Sequence, residues 1–538
     1  MDVRELDTLL NVAKYENPNI VKLLDSSHVL ATQEYVDEHS SSAPAWEFPV
    51  EDYGAVGDAF FADDVSVDGS QTFSSATIAA QGAVDMWVMI EGARGTGDTA
   101  AIGQITGISG NNVTITSRVA ISATVASLPA WCGTDDTDAF NDAFVAADGV
   151  GIVTMADKRY VVASNTQSND GNILFNSAIM IPPPADNNAG GKIVPTLRGV
   201  CRQDNTAYWN ESFPNSTGSC IICMNTAPNT IDSTYDRQAV ISAGTPQAGM
   251  AGPDSPPTFV NSKPVIENVK IIIPYFSNLV GFDFRYTASM YMDGWSVYAF
   301  AQAVHGNGNH MITEYSNSVW DNKNSIGVCT PISGNNADVY IKSGVAVGLH
   351  VGLRVSAEHT RIDRLVILYT QVAIAVDGGT HGLSIGHVTA EGYVGGLQFV
   401  GGGSIVTPIF IDSWSTETSG NVYDISDPGN GFHGHFNYYN ITDSREMSVD
   451  GAANLQIRNC KYNTGLWSSA PELAATGVDM VNTSYCPVVV NVSGGTVTAI
   501  DIDGETIEGL TSGLVPLRPG GVLNITYSSA PTLQWFIL

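Results

Sequence analysis

Two glutamates, Glu391 and Glu417, close two versions of one short pattern, Ile385-Gly386-His387-Val388-Thr389-Ala390-Glu391 and Ile411-Asp412-Ser413-Trp414-Ser415-Thr416-Glu417. Stacked as neighbouring strands, their backbones stand about 4.8 Å apart. Two carboxyls at that spacing repel, which raises one pKa and keeps a proton donor beside an ionised carboxylate near neutral pH. Glycoside hydrolysis needs such a pair: a separation of about 5 Å serves a retaining route and roughly 6.5–9.5 Å an inverting one. Two glutamates on a solvated face would give the same pattern with no chemistry.

The pattern also fits Ile362-Asp363-Arg364-Leu365-Val366-Ile367-Leu368 and Met292-Asp293-Gly294-Trp295-Ser296-Val297-Tyr298. Asp363 and Asp412 then share the second column, and Arg364 and His387 the third. These columns can line a groove facing sugar hydroxyls, or they can be turn residues with local Asx hydrogen bonds. Just upstream, Glu358-His359-Thr360-Arg361 offers a base and a uronate-binding guanidinium, the parts that β-elimination of a polysaccharide requires. Flat rings exposed on a groove stack on pyranose faces, whereas inward rings only pack. Trp295 and Trp414 share a column with Leu365 and Val388 and are expected in the core, which leaves Tyr393, flanked by glycines, as the groove aromatic. No Ser-His-Asp phrase, Walker loop or zinc motif occurs, and no metal or cofactor is expected.

What must position these residues is a stack. The last three patterns recur after 23 and then 26 residues, a period typical of solenoids. Each of them is followed by a further apolar run, at Ala373 to Val376, Leu397 to Val400 and Val422 to Ile425, as in a coil with more than one strand per turn. Upstream, Asp52-Tyr53-Gly54-Ala55-Val56-Gly57-Asp58 finds its continuation only about seventy residues later, in Gly133-Thr134-Asp135-Asp136-Thr137-Asp138-Ala139-Phe140. The glycines suit a tight turn, and the aspartates suit the positive end of a short helix whose Ala139, Phe140, Ala143, Phe144 and Ala147 form one apolar face. Such a helix should cap an open end.

Joined across that gap, the two half-motifs resemble the start of a pectate-lyase-like right-handed parallel β-helix, as found in bacteriophage tailspikes and polysaccharide depolymerases. The fold expected is therefore all-β: a right-handed parallel β-helix over 46–58 plus 133–486, with an inserted small β-domain at 59–132 and a C-terminal β-domain at 487–538. In the insert, Val84 to Ile90, Ala101 to Ile108 and Asn112 to Ile121 read as hairpin strands. Leu30-Ala31-Thr32-Gln33-Glu34-Tyr35-Val36-Asp37 resembles a phrase of phage tail-fibre proteins, and residues 1–45 are expected to be a virion-attachment segment and linker. The resemblance implies a homotrimer whose N-terminus joins a phage tail or baseplate protein. It also implies a virion location after synthesis in the host cytoplasm, and a bacterial surface polysaccharide, capsule or O-antigen, as the partner that is bound and cleaved. Hydrolysis is the leading chemistry. A polysaccharide lyase and a non-catalytic receptor-binding fibre stay open.

Composition narrows the partners further. A net charge of -31 disfavours nucleic acid and anionic membranes, and no run of eighteen apolar residues is present to insert into a bilayer. Only 14% of residues are charged while 54 are glycine, a balance that favours β-structure with many turns. The seven cysteines are scattered and odd in number, so no disulfide framework is expected. Cys220 and Cys223 form a CxxC without a second pair, which reads as buried thiols.

Overall fold

The computed structural model describes residues 46–94, 100–148, 151–164, 166–169, 174–182, 196–200, 218–225, 238–243, 263–274, 277, 279–285, 287, 289–299, 325–331, 338–368, 370–377, 382–391, 395–400, 409–416, 423–426, 433–440, 449–450, 454–458, 472–483, 487–518 and 520–537. The tail-fibre-like phrase at 30–37 and the rest of 1–45 lie outside them.

Two stacked sheets make a parallel β-helix. One runs in the order Glu47–Pro49, Ile152–Thr154, Thr196–Arg198, Val265–Glu267, Ser289–Asp293, Asp338–Val347, His359–Leu368, Leu383–Glu391, Ile409–Thr416, His433–Asn440 and Asn454–Arg458. The other includes Leu279–Asp283, Ile326–Cys329, Val351–Val355, Val372–Asp377, Gly395–Val400 and Tyr423–Ser426, one from each successive turn of chain. The apolar runs after the repeats are these second-sheet strands. In the early coils a residue in the left-handed region, Asn268 or Gly294, separates two short strands on the first face. From Asp338 onward a single long strand pairs with both of the preceding short ones, Ser289–Asp293 and Trp295–Ala299.

The inward stack explains why these segments form strands. Phe48, Val153, Leu197, Ile266, Met292, Ile341, Ile362, Ile385 and Ile411 pair in register through successive coils. All but Phe48 are fully buried. Burying each such side chain contributes about 1.5–3 kcal/mol, and each covers its neighbour, so the coils stabilise one another. Three residues on, Trp295, Gly344, Leu365, Val388 and Trp414 form a second inward column, which puts both tryptophans in the core. The coil at 338–347 is absent from the repeat as read in the sequence. Its marker position is Gly344, because the Trp295 indole already fills that space: a Cβ there would sit 2.0 Å from an indole carbon.

The split motif closes across the insert. Asp136 accepts from the amides of Val56 and Gly57 at 2.6 and 3.2 Å, and Asp58 accepts from the Thr134 amide and hydroxyl, both at 2.8 Å. The helix Thr137–Ala146 lays its apolar face on the first coil, with Phe140 edge-on to Tyr160 at 5.5 Å. Burial, together with Asp58 and Asp135 nearby, pushes the Asp136 carboxyl up to about 6 even against its two amide donors.

The insert is a closed antiparallel barrel of Phe60–Asp68, Thr72–Ser74, Asn112–Val119, Ala101–Ser109, Trp87–Ile90 and Thr124–Gly133. It is packed onto the β-helix through Met89, Ile102 and Trp131 against Val161, Ile222 and Ile272. Arg118 stacks 4.2 Å over Trp87 and donates to the Ala163 and Met224 carbonyls on the solenoid. Cys220 faces this seam and Cys223 faces the solenoid core. Three residues apart on one strand, the thiols point to opposite sides, and burial pushes them up to about 11 and about 12, so both stay protonated.

Beyond the solenoid, Asp479–Val481, Val522–Ser529, Thr496–Ile502 and Glu505–Thr506 form one antiparallel sheet, and Gly513–Leu517, Val488–Ser493 and Thr532–Ile537 another. Their shared core includes Val490, Ile500, Leu517 and Leu523, with Trp535 packed against it. Among the described residues no helix is long and apolar enough to cross a membrane.

Candidate functional site

The inward columns headed by Ile362 and Leu365 stand three residues apart, so two consecutive residues between them both face outward. On the strands from Ser289 to Thr416 this creates three outward columns. The first, preceding the isoleucines, is Tyr291, Tyr340, Arg361, Ser384 and Phe410. In the second, Lys342 and Asp363 lie opposite each other, followed by Gly386 and Asp412. The third is Ser343, Arg364, His387 and Ser413.

Hydrogen bonds tie these columns across coils. The Tyr340 hydroxyl donates to Asp363 at 2.5 Å, and Arg361 Nε donates to the other oxygen of that carboxylate at 2.9 Å. The Arg361 guanidinium lies 5.4 Å from the Tyr340 ring centre, and Tyr291 meets Tyr340 edge-on at 5.5 Å. One coil earlier, Asp293 accepts from Lys342 Nζ and Ser343 Oγ, each at 2.7 Å. The Tyr340 bond, followed by Arg361 and Lys342, holds the Asp363 carboxyl below its usual range, while the same bond raises the Tyr340 phenol. Asp363 is thus ionised, with both oxygens engaged. It orients a ring and a guanidinium, and it is ill-suited to donate a proton.

His387 is fixed from both sides. Its Nδ1 lies 2.9 Å from Ser413 Oγ, and its Nε2 lies 3.1 Å from Thr389 Oγ1. Burial, and after it the positive charge of Arg364, lowers its pKa, so the ring is neutral at pH 7. Arg364 itself is exposed and has no hydrogen bond or ion pair among the described residues. Asp412 is exposed two coils beyond Asp363, which puts their backbones roughly 9.5 Å apart. Between them Gly386 is a bare step: a Cβ there would sit 2.6 Å from the Asp363 carbonyl oxygen.

Of the other residues singled out from the sequence, His359 Nδ1 lies 3.4 Å from the Asp338 carboxylate, and Glu358 is half-buried just before that strand. Arg361 is bound to Asp363. Glu391 is in register with Leu368, and the pairing continues as far as Ala390 opposite Thr416. The Glu391 side chain, Glu417 and Tyr393 lie outside the described residues. The sequence reading missed Tyr291, Tyr340 and Phe410, the last 41% exposed. Their signal was present: each stands immediately before a core Met or Ile, a position that strand alternation turns outward. Among the described residues no group of three or more His, Cys, Asp or Glu side chains is placed to hold a metal ion.

No family model and no curated protein matches the chain. Among solved structures it is similar to the Gp54 tailspike of Acinetobacter baumannii bacteriophage AP22 in complex with A. baumannii capsular saccharide. That match has 10% identity over 89% of this chain and 81% of that one, with a TM-score of 0.18. It is also similar to tailspike gp49 of Pseudomonas phage LKA1, at 12% identity over 89% and 81% with a TM-score of 0.16. A third match is tailspike gp61 of Pseudomonas phage phi297, at 8% identity over 89% and 80%, also with a TM-score of 0.16.

Proposed function

We propose that this chain is a bacteriophage tailspike that binds a bacterial surface polysaccharide, capsule or O-antigen, on the outward strip between residues 289 and 416 and cleaves it by glycoside hydrolysis. The observation that carries the reading is the strip itself. Rings at Tyr291, Tyr340 and Phe410 and polar groups fixed by neighbours at Asp363 and His387 follow one another at one per coil in the order Tyr291, Tyr340, Asp363, His387 and Phe410. A linear polymer of repeating sugars offers the matching pattern of flat faces and hydroxyls.

For the chemistry, Glu391 and Glu417 remain the leading pair, one protonating the leaving oxygen and the other acting as nucleophile or as base for water. Asp363 and Asp412 flank the bare step at Gly386 and are the next candidates, with Asp363 in an ionised role only. The N-terminal segment attaches the protein to a tail or baseplate component in the virion. The C-terminal sheets support a homotrimer: Leu514 and Phe536 are 67% and 51% exposed on the outer face of one sheet, an apolar face suited to a second copy.

The test is incubation of the purified chain with candidate host polysaccharides, scoring new reducing ends and ultraviolet absorbance of unsaturated uronates. Reducing ends without that absorbance are expected. Unsaturated products would replace hydrolysis with β-elimination, and binding without cleavage would leave a receptor-binding fibre.

A further inference from the structure

We infer that the glycan is acidic and that Arg364 binds its carboxylate, with the His387–Ser413 pair beside it receiving the neighbouring hydroxyls. This rests on the polysaccharide reading and adds the substrate class. The outward strip carries several cations, and most are already neutralised by the protein. Lys342 is bound to Asp293 at 2.7 Å and Arg361 to Asp363 at 2.9 Å, and His359 faces Asp338 at 3.4 Å. Farther toward the first coil, Arg198 is bound to Glu267 at 2.7 Å.

Arg364 breaks that rule. Exposed, and with no carboxylate or hydrogen-bond acceptor on it among the described residues, it stands in register between Ser343 and His387. Its charge is felt locally, since it helps to keep His387 neutral. In a chain with a net charge of -31, a guanidinium without a counter-ion among the described residues, in the middle of a polar strip, has its five donors available to an outside anion. A planar fork suits a carboxylate, and the neutral imidazole next to it can donate to or accept from a sugar hydroxyl without repelling the acid.

The same Arg would also accept a phosphate or sulfate ester, and the experiment separates these sources. Binding of the wild-type chain is measured by calorimetry with hexuronate-containing capsular polysaccharides, with the same polymers after carboxyl reduction, with phosphate-bearing capsular polysaccharides and with neutral dextran. Arg364→Ala, Arg364→Lys and the distant Arg518→Ala are compared. The expected result is that Arg364→Ala weakens binding of a hexuronate polymer about 10- to 100-fold, a range set by a charge-assisted hydrogen bond. Arg364→Lys should weaken it less, and Arg518→Ala should change it little. Carboxyl reduction should weaken wild-type binding by a similar factor while leaving Arg364→Ala unaffected, because both changes remove the same contact.

Equal wild-type affinity for native and carboxyl-reduced polymer, or unchanged affinity in Arg364→Ala, overturns the inference while leaving the polysaccharide reading intact. Preference for the phosphate-bearing polymers overturns the carboxylate assignment. No binding to any polymer overturns the polysaccharide reading and this inference with it.

Discussion

Gly344→Ala is a small change with a sign that reports on the coil register. Away from steric conflict, adding a methyl at a glycine of negative φ stabilises by about 0.4–1 kcal/mol, through the unfolded chain. Gly344 is not among the positive-φ glycines, so its backbone permits the change. Its Cβ, however, would lie 2.0, 2.2 and 2.4 Å from three atoms of the Trp295 indole. That ring is fully buried, with Phe282 edge-on at 6.3 Å, so it cannot simply swing away. Overpacking of this kind costs about 1–3 kcal/mol, and the clash involves ring atoms, which favours the upper half of that range. Trp295→Leu alone should cost about 2–3 kcal/mol by leaving a void. Joined to Gly344→Ala it should cost less than the sum by about 1–2 kcal/mol, because the new methyl occupies the vacated space. A long solenoid is prone to irreversible unfolding, so the assay is the unfolding rate in fixed urea followed by tryptophan fluorescence. A loss of about 2 kcal/mol expressed wholly on that limb quickens unfolding roughly thirtyfold. Slower unfolding in Gly344→Ala, or strictly additive single and double variants, would refute the stacking of Trp295 over Gly344.

Three further outcomes are expected. Glu91 in the inserted barrel is buried, with one oxygen lacking a hydrogen-bond partner among the described residues, and burial pushes its carboxyl up to about 8. With the folded pKa raised above the unfolded one, its contribution is fully present below about pH 4.5 and is lost as pH rises through about 8. Glu91→Gln should therefore leave the melting temperature unchanged at pH 4 and raise it increasingly toward pH 8, by on the order of 4 kcal/mol of stability; a constant difference across that range would contradict this. Glu391→Gln and Glu417→Gln should each lower glycan cleavage by about 10²–10⁴ while preserving glycan binding and assembly, and full activity in both would move the acid and base to Asp412 and its neighbours. Leu514→Glu with Phe536→Asp should convert a trimer to monomers in sedimentation velocity, and a wild-type chain that is already monomeric at micromolar concentration would remove the trimer.

The solenoid was legible because its core repeats in type: the Ile or Met that opens each of the four patterns faces inward, in register from coil to coil. The coil at 338–347 was not legible, since Gly344 carries no side chain to mark the column and the atoms that fill it belong to Trp295, a coil away. Gly294 and Asn268 likewise hide the two-strand form of the early coils, which depends on a left-handed bend that the pattern does not encode. The site was legible only in part. Asp363, Arg364, His387 and Asp412 fall in the columns expected of them. Which of them are tied up by a partner is decided across coils, by Tyr340 reaching Asp363 and Ser413 reaching His387, and residues 23 and 26 apart give no local sign of touching. The outward aromatics Tyr291, Tyr340 and Phe410 were not legible because the repeat marks its columns by the apolar positions, and the position just before each Met or Ile varies in type from Tyr to Arg, Ser and Phe.

The central claim is that the outward strip is where the glycan lies. The most direct measurement is a crystal structure of the protein soaked with an oligosaccharide fragment of the host polysaccharide. Sugar rings should be found along the coils from Ser289 to Thr416, resting on Tyr340 or Phe410 with hydroxyls on His387. An oligosaccharide ordered only on the inserted barrel or on the C-terminal sheets, with this strip bare, would contradict it.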